Sequence, residues 1–136
     1  MTTGTAIQAS LTVSGHPDQV RAARAFVGRA LGDDHPCVMV AALLVSELVT
    51  NSVLHSYSGL PGGAITITVT STPAGVRVEV HDAGSPSVPL LRNPDDGLAD
   101  GGRGLQLVRH LAAAWDYYGD EDGLVTWFEL GSEAPE

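Results

Sequence analysis

The sequence contains no lysine and a single cysteine, and each shortage excludes a class of function. Without lysine there is no phosphate-binding loop of the Gly-Lys-Ser/Thr type. The lone Cys37 excludes an internal disulfide and a cysteine-rich zinc site. All seven bases are arginine, and against 16 acids they leave a net charge of −9. That charge disfavours binding to nucleic acid or to anionic lipid and would attract a basic protein partner.

The remaining composition is typical of one globular domain. A chain of 136 residues with 43% hydrophobic content can bury a core without disulfides or metal. The N-terminal residues lack the pattern of a signal peptide, and Glu47 and Asn51 interrupt the longest apolar run. We therefore expect a single domain over residues 1–136, with its core at about 6–131. We expect it to be cytoplasmic, with no membrane or nucleic-acid partner.

Hydrophobic spacing predicts the element order β, α, α, β, β, loop, α, β, β. Alternation predicts a strand over 6–14 and two later hairpins, while helical spacing predicts helices over about 17–31, 36–57 and 104–112. A polar stretch without periodicity, about 85–102, predicts a lid over a site. The predicted fold class is an α/β two-layer sandwich, whose mixed, mostly antiparallel sheet is covered on one face by three helices.

Glu47, Asn51 and His55 recur at intervals of four on the second predicted helix, so they lie along one side of it. A carboxylate and an amide one turn apart can act together on a bound ion or water. The same residues also fit the solvated stripe of an amphipathic helix. This stretch alone leaves both interpretations open.

Two further stretches could bind a ligand. Asp82 comes where a predicted strand ends, and its carboxylate could accept a hydrogen bond from an exocyclic amine while Gly84 lets a flat ring approach the backbone. An ordinary turn would look the same. Gly102 and Gly104 come where a predicted helix begins, and the N–H groups there could hold an anion. A lid hinge is the alternative.

In their order and spacing these motifs resemble those of the Bergerat-type (GHKL) ATP-binding fold. The likeness covers roughly residues 6–131 and is closest to the small bacterial anti-sigma factor serine/threonine kinases. Residues 46–55, Ser-Glu-Leu-Val-Thr-Asn-Ser-Val-Leu-His, resemble their N box, and residues 102–108, Gly-Arg-Gly-Leu-Gln-Leu-Val, resemble their second glycine box. The closing Val-Thr-Trp-Phe-Glu-Leu, residues 125–130, is similar to their last strand.

The resemblance implies that the chain binds ATP and Mg²⁺ and assigns a role to each motif. Asn51 would bind the Mg²⁺ that bridges the triphosphate, and Glu47 would be the general base that takes a proton from the attacking hydroxyl. Asp82 would accept from the adenine amine, with Gly84 beside the ring. The remaining residues would hold phosphate: Gly102, Gly104 and the adjoining Leu105, with Arg103 as a charge partner.

The resemblance also implies partners and a regulatory activity. Such a kinase binds a sigma factor and phosphorylates a serine on an antagonist protein, and the first helix and first strand would form the partner or homodimer surface. Two features depart from the family pattern: Ser85 and Pro86 follow Gly84 where a second glycine is common, and no lysine is present to meet phosphate charge. The alternative is therefore a non-catalytic protein-binding module, which either depends on ATP or binds no nucleotide.

Overall fold

Alternating apolar residues build five strands, and the computed structural model describes residues 7–84, 102–120 and 123–131. The strands lie side by side in the order β1-β2-β3-β5-β4, and all four pairings among them are antiparallel. Their bounds are β1 Ile7–Ser14, β2 Ala64–Thr72, β3 Gly75–Asp82, β4 Ala114–Asp120 and β5 Gly123–Gly131. The mostly antiparallel sheet predicted from the sequence is therefore antiparallel throughout its described strands.

Three α-helices in the described part of the chain cover one face of this sheet. They are α1 Val20–Leu31, α2 Val38–His55 and α3 Gly102–Leu111, and a 3₁₀ turn at Pro17–Gln19 leads into α1. Helix α2 packs against both other helices and against β3, whereas α1 packs on β1 and β2 and α3 on β4. This arrangement confirms the predicted two-layer α/β sandwich and places α2 at its centre.

Helix α2 is two residues shorter at each end than the sequence spacing predicts. At its start, the backbone N–H of Cys37 donates to Nδ1 of His35 at 3.0 Å, which holds that turn outside the helix. At its end, Ser56 is extended, with φ −114° and ψ 168°, and its hydroxyl donates back to the carbonyl of Ser52 at 2.7 Å. Side-chain hydrogen bonds to the backbone compete with the helix at both ends.

The two faces of the sheet differ as strand alternation requires. Toward the helices the strands present an apolar layer, which includes the fully buried Ile67, Val78 and Phe128. On the outer face of β1 and β2, the hydroxyls of Thr12 and Thr66 lie 2.8 Å apart, and similar bonds join the neighbouring pairs. The outer face is therefore a polar ladder, and the single hydrophobic core lies between sheet and helices.

By length and composition alone, α2 could cross a bilayer. This differs from the expectation that Glu47 and Asn51 interrupt the apolar run and leave it too short to do so. Its packing is that of a core helix. Six of its residues are buried, and the helix contacts α1, α3 and β3. The predicted lid, about 85–102, falls outside the described residues except for Gly102, which is the first residue of α3.

Replacing Phe128 with alanine tests the position of the core. Its side chain is fully buried on β5, between β3 and β4, and truncation of such an aromatic ring costs about 3–5 kcal/mol of unfolding free energy. Thr68→Ala on the outer face is the control, and we expect a change within about 0.5 kcal/mol. Urea denaturation measures both values, and similar losses for the two variants would contradict the assignment of inner and outer faces.

Candidate functional site

The carboxylate of Asp82 stands at the end of β3 with both oxygens hydrogen-bonded. The hydroxyl of Ser52, on α2, donates to Oδ2 at 2.6 Å, and the backbone N–H of Gly84 donates to Oδ1 at 2.7 Å. Burial raises the pKa of Asp82 above its ordinary value, and these two hydrogen bonds oppose that rise only in part. The result is a partly buried acceptor whose orientation is fixed from two sides.

The two residues after Asp82 end strand β3 and are hydrogen-bonded to another part of the chain. Gly84 has a φ of +81°, a region that residues with a Cβ seldom occupy, and its carbonyl accepts the N–H of Tyr57 at 2.7 Å. The N–H of Ala83 donates to the hydroxyl of Ser58 at 2.8 Å. Backbone groups of both residues are thus bound to the loop that follows α2, which places the end of β3 beside the end of that helix.

Asn51 and Glu47 lie on the part of α2 that reaches Asp82. Asn51 directly precedes Ser52, whose side chain contacts Asp82, and successive helical residues are rotated by about 100°. Glu47 lies one turn before Asn51, and both side chains are half-buried. Glu47 and Asn51 therefore lie within five residues of Ser52, which bonds to Asp82, and their roles as general base and metal ligand remain predictions.

One ring nitrogen in this region has no hydrogen-bond partner among the described residues. Nε2 of His55, one turn after Asn51, is buried and makes no hydrogen bond to any described residue. An unsatisfied buried polar atom costs about 1–3 kcal/mol, and such atoms are expected where a ligand completes the site. Nε2 of His55 is therefore available to a polar ligand or to a water at this end of α2.

The described residues do not form a metal site by themselves. Among them, no group of three histidine, cysteine, aspartate or glutamate side chains lies close enough to hold an ion. Mg²⁺ commonly keeps several waters and takes one or two protein oxygens together with substrate phosphates. A single amide ligand such as Asn51 fits that mode, so the assignment of Asn51 to Mg²⁺ stays a prediction tied to nucleotide.

The glycine-rich residues predicted to hold phosphate begin the third helix. Gly102, Arg103, Gly104 and Leu105 form the first turn of α3, which packs against α2. The first N–H groups of a helix lack intrahelical partners and attract anions. The assignment of these four residues to phosphate remains a prediction from the sequence.

Sequence reasoning missed two serines that hold the site together. Ser52 is one residue of the predicted N box, with no role of its own assigned to it, and Ser58 falls just after the second predicted helix. Ser52 directly follows Asn51, and this position could have indicated that its side chain also lies near the site. Nothing in the sequence near Ser58 indicates that it bonds to a residue 25 positions later.

A cavity of about 280 Å³ at the opposite end of β3 contains none of the predicted site residues. It is bordered by Thr70, Thr72, Ala74, Gly75, Val76, Arg77, Glu129 and Leu130. Arg77 is already engaged there, because it donates to Glu129 at 2.9 Å and its guanidinium lies 4.1 Å from the centre of the Trp127 ring. The candidate site is therefore the Asp82 end of the sheet.

Comparison with known proteins identifies a family for this chain. A family profile described as the histidine kinase-like ATPase domain matches residues 13–130. Among solved structures, a chain with the RsbU and RsbW domains of Rv1364c from Mycobacterium tuberculosis has a TM-score of 0.60 and 19% identity. The alignment covers 93% of this chain and 33% of that one, so this chain spans about a third of its length, and the likeness shows the fold alone. No curated protein matches the sequence.

The raised pKa of Asp82 predicts how stability changes with pH. Since the folded state favours the protonated carboxyl, its contribution is fully present below the ordinary pKa of 3.8 and is lost as pH rises through the folded-state pKa. Relative to Asp82→Asn, the wild type should therefore lose unfolding free energy as pH rises from about 4. Urea titrations over this range measure the difference.

The exposed Asp33 supplies the control for removing one surface charge, as Asp33→Asn. If the difference between wild type and Asp82→Asn stays constant or grows with pH, the carboxylate is not in the buried environment described.

Proposed function

The chain belongs to the family of histidine kinase-like ATPase domains, and we propose that it is an ATP- and Mg²⁺-binding serine/threonine kinase of the anti-sigma type. The proposal rests on the arrangement of residues at the end of β3. There the carboxylate of Asp82 is hydrogen-bonded to Ser52 of α2, the residue directly after Asn51 on the helix that also bears Glu47. One end of such a site suits an adenine amine, and the other suits a metal-bound triphosphate.

The polar groups at the end of the site that would bind adenine can accept further hydrogen bonds from a ligand. A carboxylate offers about four lone-pair sites, and the described contacts of Asp82 use two of them. Asp82 can therefore still accept from the amine of adenine. The unpartnered Nε2 of His55 adds a second polar group that a bound nucleotide would satisfy.

The phosphate end would be held by α2 and α3. Asn51 would give its amide oxygen to Mg²⁺, and the N–H groups of the first turn of α3 would face phosphate oxygens. Arg103, in that turn, would supply positive charge in a chain without lysine. When bound, Mg-ATP supplies the transferable phosphoryl group and the cation that offsets its charge.

Glu47 would serve as the general base. It lies one helical turn from Asn51, so a serine hydroxyl presented near the nucleotide could lose its proton to this carboxylate. The serine oxygen would then bond to the γ-phosphorus of ATP as the bond from that phosphorus to the bridging oxygen breaks and ADP leaves. Because Glu47 is half-buried, an incoming side chain can still reach it.

The helical layer carries positive charge that could bind a protein partner. The three helices carry five of the seven arginines but only Glu47 among the 16 acids. Arg21, Arg24 and Arg29 on α1 are exposed. We therefore infer that an acidic partner surface docks on α1, whereas net charge alone favours a basic one. A sigma factor and its antagonist are the proposed partners, in the cytoplasm.

A second candidate is a binding module that uses nucleotide without transferring phosphate. Ser85 and Pro86 stand where the resembling kinases often place a further glycine, and the chain has no lysine for the phosphates. Either departure could abolish turnover while leaving the contacts of Asp82 and Asn51 intact.

Thermal unfolding with Mg-ATP tests nucleotide binding. At about a hundred times its Kd, ATP should stabilise the wild type by about 2.7 kcal/mol and raise Tm by several degrees. Asn51→Ala should lose this shift because the metal loses its protein ligand. Ser46→Ala is a matched control on α2, since its hydroxyl donates to the carbonyl of Ala42 within the helix. Absence of a shift in the wild type would contradict the proposal.

Transfer of labelled phosphate from ATP to a partner protein separates the kinase from the module. Glu47→Ala should keep the thermal shift and lose transfer by about a hundredfold or more, the usual contribution of a general base. If the wild type binds ATP but transfers no phosphate to any bound partner, the module is the correct assignment.

A further inference from the structure

Ser58 is a fully buried hydroxyl that joins two strands to the loop after α2. Its Oγ accepts the backbone N–H of Ala83 at 2.8 Å and donates its proton to the carbonyl of Ala64 at 2.7 Å. A hydroxyl has one proton to donate and lone pairs to accept with, so both kinds of bond are made at once. An alanine at this position would leave a backbone donor and a backbone acceptor without these partners inside the protein.

The loop that carries Ser58 is itself held in place. The N–H of Ser58 donates to Oγ of Ser56 at 3.0 Å, and that hydroxyl donates to the carbonyl of Ser52 at 2.7 Å. On the other side, Gly15 lies so close to the carbonyl of Ser58 that a Cβ at Gly15 would overlap it. Ser58 therefore has a fixed position relative to the end of α2.

Because Ala83 directly follows Asp82, the bond from Ser58 to Ala83 also restrains Asp82. Ala83 lies between Asp82 and Gly84. The carboxylate of Asp82 is the proposed acceptor for the adenine amine, and the N–H of Gly84 donates to it at 2.7 Å. The carbonyl of Gly84 also accepts the N–H of Tyr57, next to Ser58 in the same loop. Two bonds from one loop thus fix the short segment that aims the carboxylate.

We infer that Ser58 is a positioning residue that makes the site selective for a purine bearing a 6-amine over one bearing a 6-oxo group. The inference rests on the proposed function, because it requires the base to meet Asp82. A correctly aimed carboxylate accepts from an amine and repels a carbonyl oxygen. If Ala83 is released, the backbone N–H of the adjoining Gly84 is held less firmly against the carboxylate, which then loses part of its alignment and of this preference.

Calorimetric titration of the full chain with Mg-ATP and with Mg-ITP, which carries the 6-oxo group, measures the preference directly. We expect the wild type to prefer ATP and Ser58→Ala to lower the ratio of the two affinities by about five- to tenfold, the effect of one good hydrogen bond. ATP binding should weaken while ITP binding changes little. Val69→Ala, in the core of β2 and away from the loop, is the control for lost stability.

A purely structural role for Ser58 predicts a different result. Ser58→Ala would then lower Tm, as Val69→Ala does, but would leave the ratio of ATP to ITP affinity within twofold of the wild-type value. That outcome overturns the inference and leaves the proposed function standing. A wild type that binds both nucleotides equally also overturns it, whereas a wild type that binds neither overturns the proposed function as well.

Ser56→Ala provides a second variant if Ser58→Ala does not fold. Ser56 is half-buried, and its hydroxyl supports Ser58 without touching Asp82. We expect a smaller fall in the ratio, about two- to threefold, since the loop loses one of its supports. An unchanged ratio in this variant overturns the inference.

Discussion

The hydrogen-bonded carboxylate of Asp82 is the constraint on which the candidate site depends. A charged group at a buried strand end is unfavourable unless donors meet it, and here the donors come from different elements: Ser52 on α2 and the backbone of Gly84. Satisfying one carboxylate therefore fixes the helix, the strand end and the turn relative to one another. The Asn51 and Glu47 positions on α2 are set by the same contact.

The two-layer fold separates the chemistry of its surfaces. The outer face of the sheet is a ladder of hydroxyl pairs such as Ser10 and Thr68, which satisfy each other and give the sheet a polar exterior. The helical layer holds Glu47, Asn51 and most of the arginines in a strongly acidic chain. A partner that docks on this layer would meet the nucleotide site on the same side of the molecule.

Much of the architecture could be predicted from the sequence because its signals are local. Alternation with period two over 64–82 predicts strands, and the apolar run of α2 predicts a helix. The i, i+4 spacing of Glu47 and Asn51 shows that they share a helix face. The contacts of Ser58 with Ala83 and of Ser52 with Asp82 could not be predicted, because they join residues 25 and 30 positions apart and arise only from packing. The shortened ends of α2 were missed because side-chain bonds from His35 and Ser56 outweigh the apolar pattern.

A crystal structure of the chain with Mg²⁺ and a non-hydrolysable ATP analogue is the most direct test of the account. We expect the adenine amine within hydrogen-bond distance of the Asp82 carboxylate, Mg²⁺ bound by the Asn51 amide oxygen, and Nε2 of His55 bonded to the nucleotide or to a water that it holds. A nucleotide bound elsewhere, or a base that lies against the Asp82 end without contacting its carboxylate, would contradict the central claim.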